Sequence, residues 1–260
     1  MAQLLGITSG EDIEIKFAFK VPSSFTEESP DGWGYAFFKN DDWQLFKQSL
    51  DMEKILRIAT RTLTPHNFSG KTFISHIRFA THGQISYENT HPFDRELFDK
   101  RWVFAHHGHL RLYRHIIDSL EFFKPSGDTD SESAFCAIME ELRRLGKKDS
   151  SKEIAQTIEK EAIELSKQGG INFILSDGEI AYTFYSGYKS LYYITLRPPF
   201  KSDLEGGNDQ LKFTLKLTDK TTPVTIISSM PVLKYVHWKE FDARKVYVFK
   251  NGEQIKHVSY

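Results

Sequence analysis

Two consecutive amphipathic segments interrupt a chain that otherwise consists of short strand-like runs. The first, at 129–146, opens with Thr-Asp-Ser-Glu, the form of a capping box, and its apolar residues recur on one helical face until Gly146. The second, at 151–167, carries apolar residues on one stripe and precedes a Gly-Gly pair. This pattern predicts two helices that pack side by side. Because they are segregated from the strands, we predict a layered α+β architecture.

Short apolar runs rich in β-branched or aromatic residues fill most of the remaining sequence, and each indicates a strand. The Asp-Gly pair at 177–178 predicts a type I′ hairpin, which needs a positive φ at both residues, and Asn-Gly at 251–252 predicts another tight turn. A further amphipathic helix is predicted over 52–64. The predicted strands cover 4–8, 35–38, 43–47, 73–79, 102–106, 171–176, 179–185, 192–196, 213–217, 224–227, 246–249 and 254–258.

Charge and composition exclude several classes of protein. The 34 Lys and Arg residues nearly balance the 35 Asp and Glu residues, so no summed field attracts nucleic acid or anionic lipid. No apolar run approaches the roughly 18 residues that span a bilayer. The single cysteine, Cys136, cannot form an internal disulfide, and the first residues lack the pattern of a signal peptide. We therefore expect a cytoplasmic protein that binds neither nucleic acid nor a membrane.

Six histidines lie between 76 and 109, and His-His-Gly-His at 106–109 raises the hypothesis of a metal site. On a strand, His107 and His109 share a face while His106 points away, and Gly108 is expected to break the strand. No Cys or Asp stands at a familiar ligand spacing. We therefore predict no metal and no cofactor. A metal-dependent hydrolase is the alternative, which metal analysis would decide.

Three residues have side chains or backbones suited to amino-acid chemistry. Arg78 ends a predicted strand, where its planar fork can clamp a carboxylate or simply lie at the surface. Gly108 follows another predicted strand and offers a close backbone N–H to an oxyanion, or only a turn. Asp130 lies in the first turn of a helix, where it can hold an ammonium group or only cap the helix.

Six short motifs occur in the order and approximate spacing of one known family. They are Met-Ala-Gln-Leu-Leu-Gly at 1–6, Asp-Gly-Trp-Gly at 31–34, His-Ile-Arg at 76–78, Asn-Thr-His-Pro-Phe at 89–93, His-His-Gly at 106–108 and Thr-Asp-Ser-Glu at 129–132. With these motifs the chain resembles the class II glutamine amidotransferases, which are N-terminal nucleophile hydrolases. The motifs at 31–34 and 89–93 look most like the standalone bacterial branch, which includes γ-glutamyl amide hydrolases.

The resemblance implies one glutamine amidotransferase type 2 domain over 1–260, folded as a four-layer αββα sandwich of antiparallel sheets. It also implies a small-molecule substrate, glutamine or a γ-glutamyl compound, attacked at its γ-amide by a cysteine that follows Met1. By the same resemblance Arg78 grips the substrate α-carboxylate, Asp130 its α-ammonium, and the Gly108 N–H contributes to the oxyanion hole. Thr81 and His82 line the pocket.

Two positions depart from the family pattern. Ala2 stands at the nucleophile position, and its methyl group has no lone pair, so we expect this chain to be inactive. His107 stands where the family usually has an asparagine that helps hold the oxyanion, and a ring N–H can replace that donor. Cys136 lies mid-helix among apolar residues and is not expected to act as the nucleophile.

Two interpretations follow from these departures. In the first, the protein is an amidohydrolase whose nucleophile was replaced deliberately, which leaves the binding pocket intact. In the second, it is a natural non-catalytic pseudoenzyme that binds a glutamine-like ligand or acts with a partner subunit. Ala2 is compatible with both interpretations, whereas His107 supports the second.

Overall fold

Two antiparallel sheets lie face to face and contain nearly all of the predicted strands. The computed structural model describes residues 3–19, 30–49, 66–79, 83–111, 113–148 and 150–255. The strands are β1 (Gln3–Phe19), β2 (Gly32–Lys39), β3 (Asp42–Ser49), β4 (His66–Arg78), β5 (Phe93–Leu97), β6 (Lys100–Leu110), β7 (Gly169–Ser176), β8 (Ile180–Tyr185), β9 (Tyr192–Leu196), β10 (Leu204–Gly207), β11 (Leu211–Lys216), β12 (Val224–Ser228), β13 (Lys239–Glu240), β14 (Lys245–Lys250) and β15 (Glu253–Ile255). The helices are α1 (Tyr113–Ser119), α2 (Asp130–Leu145) and α3 (Ser151–Ser166).

The long strand β1 organises the larger sheet. Its residues 5–9 pair with β12, whereas residues 14–19 pair with β11. The larger sheet has the order β13-β9-β12-β1-β4-β2-β3, with β11 and then β10 joined beside the second half of β1. The smaller sheet has the order β15-β14-β8-β7-β6-β5.

Three clusters of buried apolar side chains define the layers. The cluster between the sheets includes Leu4 and Ile174. A second cluster, with Phe104 and Phe135, lies between the smaller sheet and the helices α2 and α3. A third, around Trp33, lies on the outer face of the larger sheet. These layers confirm the predicted α+β sandwich of antiparallel sheets. The predicted helix over 52–64 lies outside the described residues.

The two predicted helices are confirmed, with their caps. Thr129 is the N-cap of α2 and its side chain accepts the N–H of Glu132 at 3.2 Å, while Gly146 follows the helix with a φ of 81°. Ser150 caps α3 in the same way, accepting the N–H of Glu153 at 3.4 Å. The helices pack against each other and against the smaller sheet.

The expectation that Gly108 breaks a strand is wrong. β6 continues through Gly108 to Leu110, and Gly108 pairs with Ile171 of β7. A Cβ at Gly108 would overlap the carbonyl oxygen of Gly170 and the His106 ring. Glycine is therefore required here by close packing within the strand.

The hairpin at 177–178 forms, but the predicted type I′ turn is wrong. Only Gly178 has a positive φ, at 100°, and the Asp177 N–H donates to the Ile180 carbonyl oxygen at 3.3 Å. The turn therefore lies one residue further along the chain than predicted. At the other tight turn, Asn251 and Gly252 have φ values of 53° and 75°, as a type I′ turn requires. Among the described residues, no helix is long and apolar enough to cross a membrane.

Candidate active site

The glycines of the 31–34 motif make room for the 89–93 motif. A Cβ at Gly34 would overlap the carbonyl oxygen of His91, and a Cβ at Gly32 would lie 2.9 Å from the Thr90 hydroxyl. The loop before β5 therefore lies directly on the backbone of β2. Two motifs that are separated by more than fifty residues in sequence form one packed unit.

Arg78 lies at the end of β4 and is almost fully buried. Its guanidinium donates hydrogen bonds to the carbonyl oxygens of Gly83 and Gln84, both at 3.2 Å. Burial lowers the pKa of Arg78, and the nearby carboxylates of Asp31, Asp128 and Asp130 act against that lowering. The loop carbonyls therefore hold the guanidinium in place, and the nearby carboxylates favour its positive charge.

Asp130 is the first residue of α2 and is also buried. One carboxylate oxygen accepts the Leu110 N–H at 2.7 Å, and the other accepts the Ser131 N–H at 3.0 Å. The first of these bonds joins the helix start to the end of β6. The Asp130 carboxylate is one of those that raise the pKa of Arg78. The two predicted residues therefore lie close enough for their charges to interact.

The backbone N–H of Gly108 points away from β7. In an antiparallel ladder, a residue directs its N–H and C=O to the same side, and successive residues alternate. The Arg111 N–H donates towards β7, to the Gln168 carbonyl oxygen, whereas the Leu110 N–H donates to Asp130 on the other side. Gly108 lies two residues before Leu110, so its N–H points to the same side of the strand as the Leu110 N–H. Its N–H therefore lies along the edge of β6 that extends beyond β5, on the side of Asp130.

His107 faces the space between the sheets, because it alternates with His106, whose ring contacts α2. The His107 side chain is buried, and neither ring nitrogen has a hydrogen-bond partner among the described residues. Burial, assisted by Lys189 and His106, lowers the pKa of His107 to about 3. The imidazole is therefore neutral near pH 7 and carries one N–H donor.

Two more buried imidazoles lie between the sheets. The rings of His76 on β4 and His91 in the loop before β5 have centroids 4.1 Å apart. Burial lowers the pKa of both well below its usual value, and the charges of neighbouring histidines add to that lowering. Neutral rings thus cover the inter-sheet side of the site.

The beginning of β1 lies beside the end of β4. Gln3 pairs with Ile77, the residue before Arg78. Ser229 fixes this strand end, because its hydroxyl accepts the Leu4 N–H at 3.1 Å and its own N–H donates to the Leu4 carbonyl oxygen at 3.0 Å.

Three predicted site residues, Ala2, Thr81 and His82, lie outside the described residues. The described strand that follows Ala2 and the described strand that ends at Arg78 are nevertheless neighbours in the larger sheet. Of the predicted site residues, Arg78, Asp130, His107 and Gly108 lie around the end of β4 and the free edge of β6.

Comparison with known proteins identifies the family. The family of class-II glutamine amidotransferases matches residues 1–260. This chain belongs to that family. A candidate glutamine amidotransferase of Haemophilus influenzae is 35% identical over 266 residues, which cover 99% of this chain and 87% of that protein.

Solved structures agree with this assignment. A predicted glutamine amidotransferase from Pseudomonas aeruginosa has a TM-score of 0.83 at 28% identity, and the match covers 98% of this chain and 100% of that one. The glutamine phosphoribosylpyrophosphate amidotransferase of B. subtilis, at 14% identity and a TM-score of 0.54, shows the shared fold; the match covers 97% of this chain and 48% of that one.

Sequence reasoning missed the residues that hold the loop before α2. Asn89 accepts the Asp128 N–H at 2.9 Å and donates to the Asp128 carboxylate at 2.5 Å. Glu132, assigned from sequence only to a capping box, accepts the N–H groups of Ser126 and Gly127 at 2.9 and 2.8 Å. The asparagine in the 89–93 motif and the glutamate in the capping box are the sequence features that could have indicated how this loop is held.

Sequence reasoning also missed the structural role of His106. Its Nδ1 lies 2.8 Å from the Ser131 hydroxyl, and this contact joins β6 to the first turn of α2. Burial lowers the pKa of His106, while Asp130 acts in the opposite direction. His106 therefore positions the helix start that carries Asp130.

Two other chemical possibilities, a metal centre and a Cys136 nucleophile, can be examined in the described residues. No group of three His, Cys, Asp or Glu side chains among them is arranged to hold a metal ion. Cys136 is buried in α2, where desolvation raises the pKa of its thiol to about 11. A thiol protonated at neutral pH is a poor nucleophile.

Proposed function

We propose that the site recognises the amino-acid end of glutamine or of a γ-glutamyl compound, and that the fold supports hydrolysis of the γ-amide. The observation that carries this proposal is the placement of Arg78 and Asp130 beside the free edge of β6. Arg78 supplies a planar cation for the α-carboxylate, and Asp130 supplies an anion for the α-ammonium. An amino acid matches both charges.

The proposed hydrolysis needs an oxyanion hole and a nucleophile. The Gly108 N–H and the neutral His107 ring are the donors that we assign to the tetrahedral oxyanion. An N-terminal thiol would attack the γ-carbonyl carbon after giving its proton to the α-amine, and ammonia or an amine would leave with that proton. Water would then cleave the thioester, releasing the γ-carboxylate and restoring the thiol.

This chain carries Ala2 at the proposed nucleophile position, so we propose that it binds substrate without cleaving it. The whole of 1–260 is proposed to be one glutamine amidotransferase type 2 domain. The second candidate function is that of a natural pseudoenzyme that binds a glutamine-like ligand or a partner subunit. His107, which stands where the family usually has an asparagine, is the feature that favours this second function.

The recognition step is tested by combining ligand and protein changes. L-glutamine and 4-aminobutanamide, which lacks the α-carboxylate, are titrated by calorimetry into the unaltered chain and into Arg78→Ala. We expect each single change to weaken binding roughly ten- to a thousand-fold, because each removes a bidentate charged pair. We expect the two changes together to cost no more than either one.

Two controls accompany this titration. Arg101→Ala removes an arginine from the opposite end of β6 and should leave glutamine affinity unchanged. Thermal melting of each variant verifies that it is folded. Equal glutamine affinity in the unaltered chain and in folded Arg78→Ala would remove Arg78 from the site and would contradict the proposed recognition.

A further inference from the structure

The β8–β9 loop, residues 186–191, is fixed to the smaller sheet beside the candidate active site. Asn172 of β7 is fully buried, and its side-chain nitrogen donates to the Tyr188 carbonyl oxygen at 2.6 Å. The side-chain oxygen of Asn172 accepts the Ser186 N–H at 3.1 Å. Because Asn172 pairs with His107 in the sheet, the loop is attached next to a proposed oxyanion donor.

This loop contacts the face of the smaller sheet that is turned towards the larger sheet. Directly paired residues of an antiparallel ladder place their side chains on the same face, so Asn172 shares the inter-sheet face with His107. Gly170, two residues before Asn172, has the same orientation, and a Cβ there would overlap the Tyr188 ring. The Tyr188 ring therefore covers the backbone of β7 on the face that carries His107.

Lys189 brings a positive charge to the β8–β9 loop. Its Nζ lies 5.2 Å from the centroid of the Tyr188 ring, within the range of a cation–π contact. Lys189 is exposed, and no carboxylate among the described residues forms an ion pair with it. Its φ of 54° lies in the left-handed region, which costs free energy for a residue with a Cβ. The chain therefore keeps a lysine at a position where glycine would be less strained.

Two cations act on different parts of the site. Burial lowers the pKa of His107, and the charge of Lys189 adds to that lowering. Burial also lowers the pKa of His76 and His91, and there Arg78 is among the charges that add to it. Arg78 ends a strand of the larger sheet, whereas Lys189 is attached to the smaller sheet through β7. A ligand held at Arg78 therefore has a second cation beside the part of it that lies near His107.

We propose that Lys189, held over Tyr188, is a specificity-determining residue that binds an anionic group on the amine part of a γ-glutamyl substrate. This inference rests on the proposed function, which places the amino-acid end of the ligand at Arg78 and Asp130 and its γ-amide beside His107. The group attached to the amide nitrogen then extends towards β7 and the β8–β9 loop. Glutamine has no such group. The preferred ligand is therefore a γ-glutamyl amino acid, whose second carboxylate pairs with the Lys189 ammonium.

Titration calorimetry of the unaltered chain with three ligands tests this assignment. γ-Glutamylglycine has a carboxylate on its amine part, γ-glutamylglycinamide has a neutral amide in its place, and glutamine has no amine substituent. We expect γ-glutamylglycine to bind at least about five-fold more tightly than γ-glutamylglycinamide, the upper range for an ion pair at an accessible position. Lys189→Met should abolish this preference without changing the affinity for γ-glutamylglycinamide, whereas Lys189→Arg should retain it.

Lys160→Met is the matched control, because Lys160 is exposed on α3, on the other side of the smaller sheet. This change should leave the preference for γ-glutamylglycine unaltered, and thermal melting verifies that each variant is folded.

The outcomes separate this inference from the proposed function. If none of the three ligands binds the unaltered chain, both are wrong. If all three bind and Arg78→Ala weakens all three, the proposed recognition holds. In that case, equal affinity for γ-glutamylglycine and γ-glutamylglycinamide, or a preference that Lys189→Met retains, would overturn the role of Lys189 alone.

Discussion

At the residue scale, His107 is a functional candidate because its buried imidazole has no hydrogen-bond partner among the described residues and lies beside Gly108. A buried polar ring without a hydrogen bond is costly, and a fold under no functional demand would replace it with an apolar residue. His107 keeps its ring next to Gly108, whose N–H lies along the free edge of β6. A transient oxyanion would provide the missing acceptor.

We predict that His107→Asn preserves or raises the rate of amide hydrolysis in an Ala2→Cys background, since an amide N–H can take the place of the ring N–H. His107→Leu in the same background should lower the turnover number about a hundred-fold, the usual cost of one lost donor to an oxyanion. Steady-state release of ammonia from glutamine measures both. Equal rates for the Asn and Leu variants would show that His107 is not an oxyanion donor.

At the scale of elements, the start of α2 is fixed to the smaller sheet at three points. Asp130 accepts the Leu110 N–H from β6, Ser131 contacts His106 of β6, and Glu132 forms an ion pair with Arg95 of β5 at 2.6 Å. Three successive helical residues thus have a strand partner. The carboxylate of Asp130 is held in place before any ligand arrives, which favours recognition.

The helices and strands could be predicted from sequence more fully than the pairing between distant strands. Helix caps and apolar periodicity are local signals, so α2 and α3 are identified with their ends. The pattern predicts β1 over residues 4–8 only, whereas the strand extends to Phe19, because its second half depends on pairing with β11, about two hundred residues away. The short helix α1 and the strand β5 are missed for want of a strong local pattern.

In the candidate site, too, local features can be predicted from sequence whereas long-range contacts cannot. Arg78 and Asp130 can be predicted as site residues because their chemistry and their motifs are visible in the sequence. The contact of Gly34 with His91 is not found, because no local pattern indicates which loop lies on a glycine. For Gly108 the expected strand break is wrong, because the glycine lies within a continuous strand, where a Cβ would overlap the His106 ring and the Gly170 carbonyl.

At the scale of the whole molecule, four buried histidines link stability to pH. Burial lowers the pKa of His76, His91, His106 and His107 below the ordinary value. Below about pH 6.5 the unfolded chain binds protons at these rings that the folded chain does not bind. The free energy of unfolding should therefore be insensitive to these rings above pH 7 and should fall as the pH drops below 6.5.

The expected slope is about 1.4 kcal/mol per pH unit for each ring that stays unprotonated in the folded chain, so the three with the largest lowering of the pKa, those of His76, His91 and His107, give roughly 4 kcal/mol per unit. Urea unfolding at several pH values between 7.5 and 5 measures how the free energy of unfolding changes with pH. His107→Gln should reduce the slope by about 1.4 kcal/mol per pH unit, because it removes one titrating group. A change at the exposed His115, His115→Gln, should have no such effect, and a flat profile down to pH 5 would contradict the account.

The central proposal is that this chain retains the binding residues of a γ-amide site and carries Ala2 at the nucleophile position. Release of ammonia or amine from glutamine and γ-glutamyl amides by Ala2→Cys, with the cysteine shown by mass spectrometry to be N-terminal, tests it directly. The α-amine, with an unperturbed pKa of about 8, can accept the thiol proton.

Cys136→Ser is added to the Ala2→Cys protein and to the Ala2 chain, so that thiol alkylation can act only on the introduced cysteine. Ala2→Gly is the matched inactive control. We predict turnover by the processed Ala2→Cys protein that alkylation abolishes, and none by the unaltered chain or by the Ala2→Gly control. If the processed Ala2→Cys protein binds these ligands but releases nothing from any of them, the site is that of a binding protein and the central proposal is wrong.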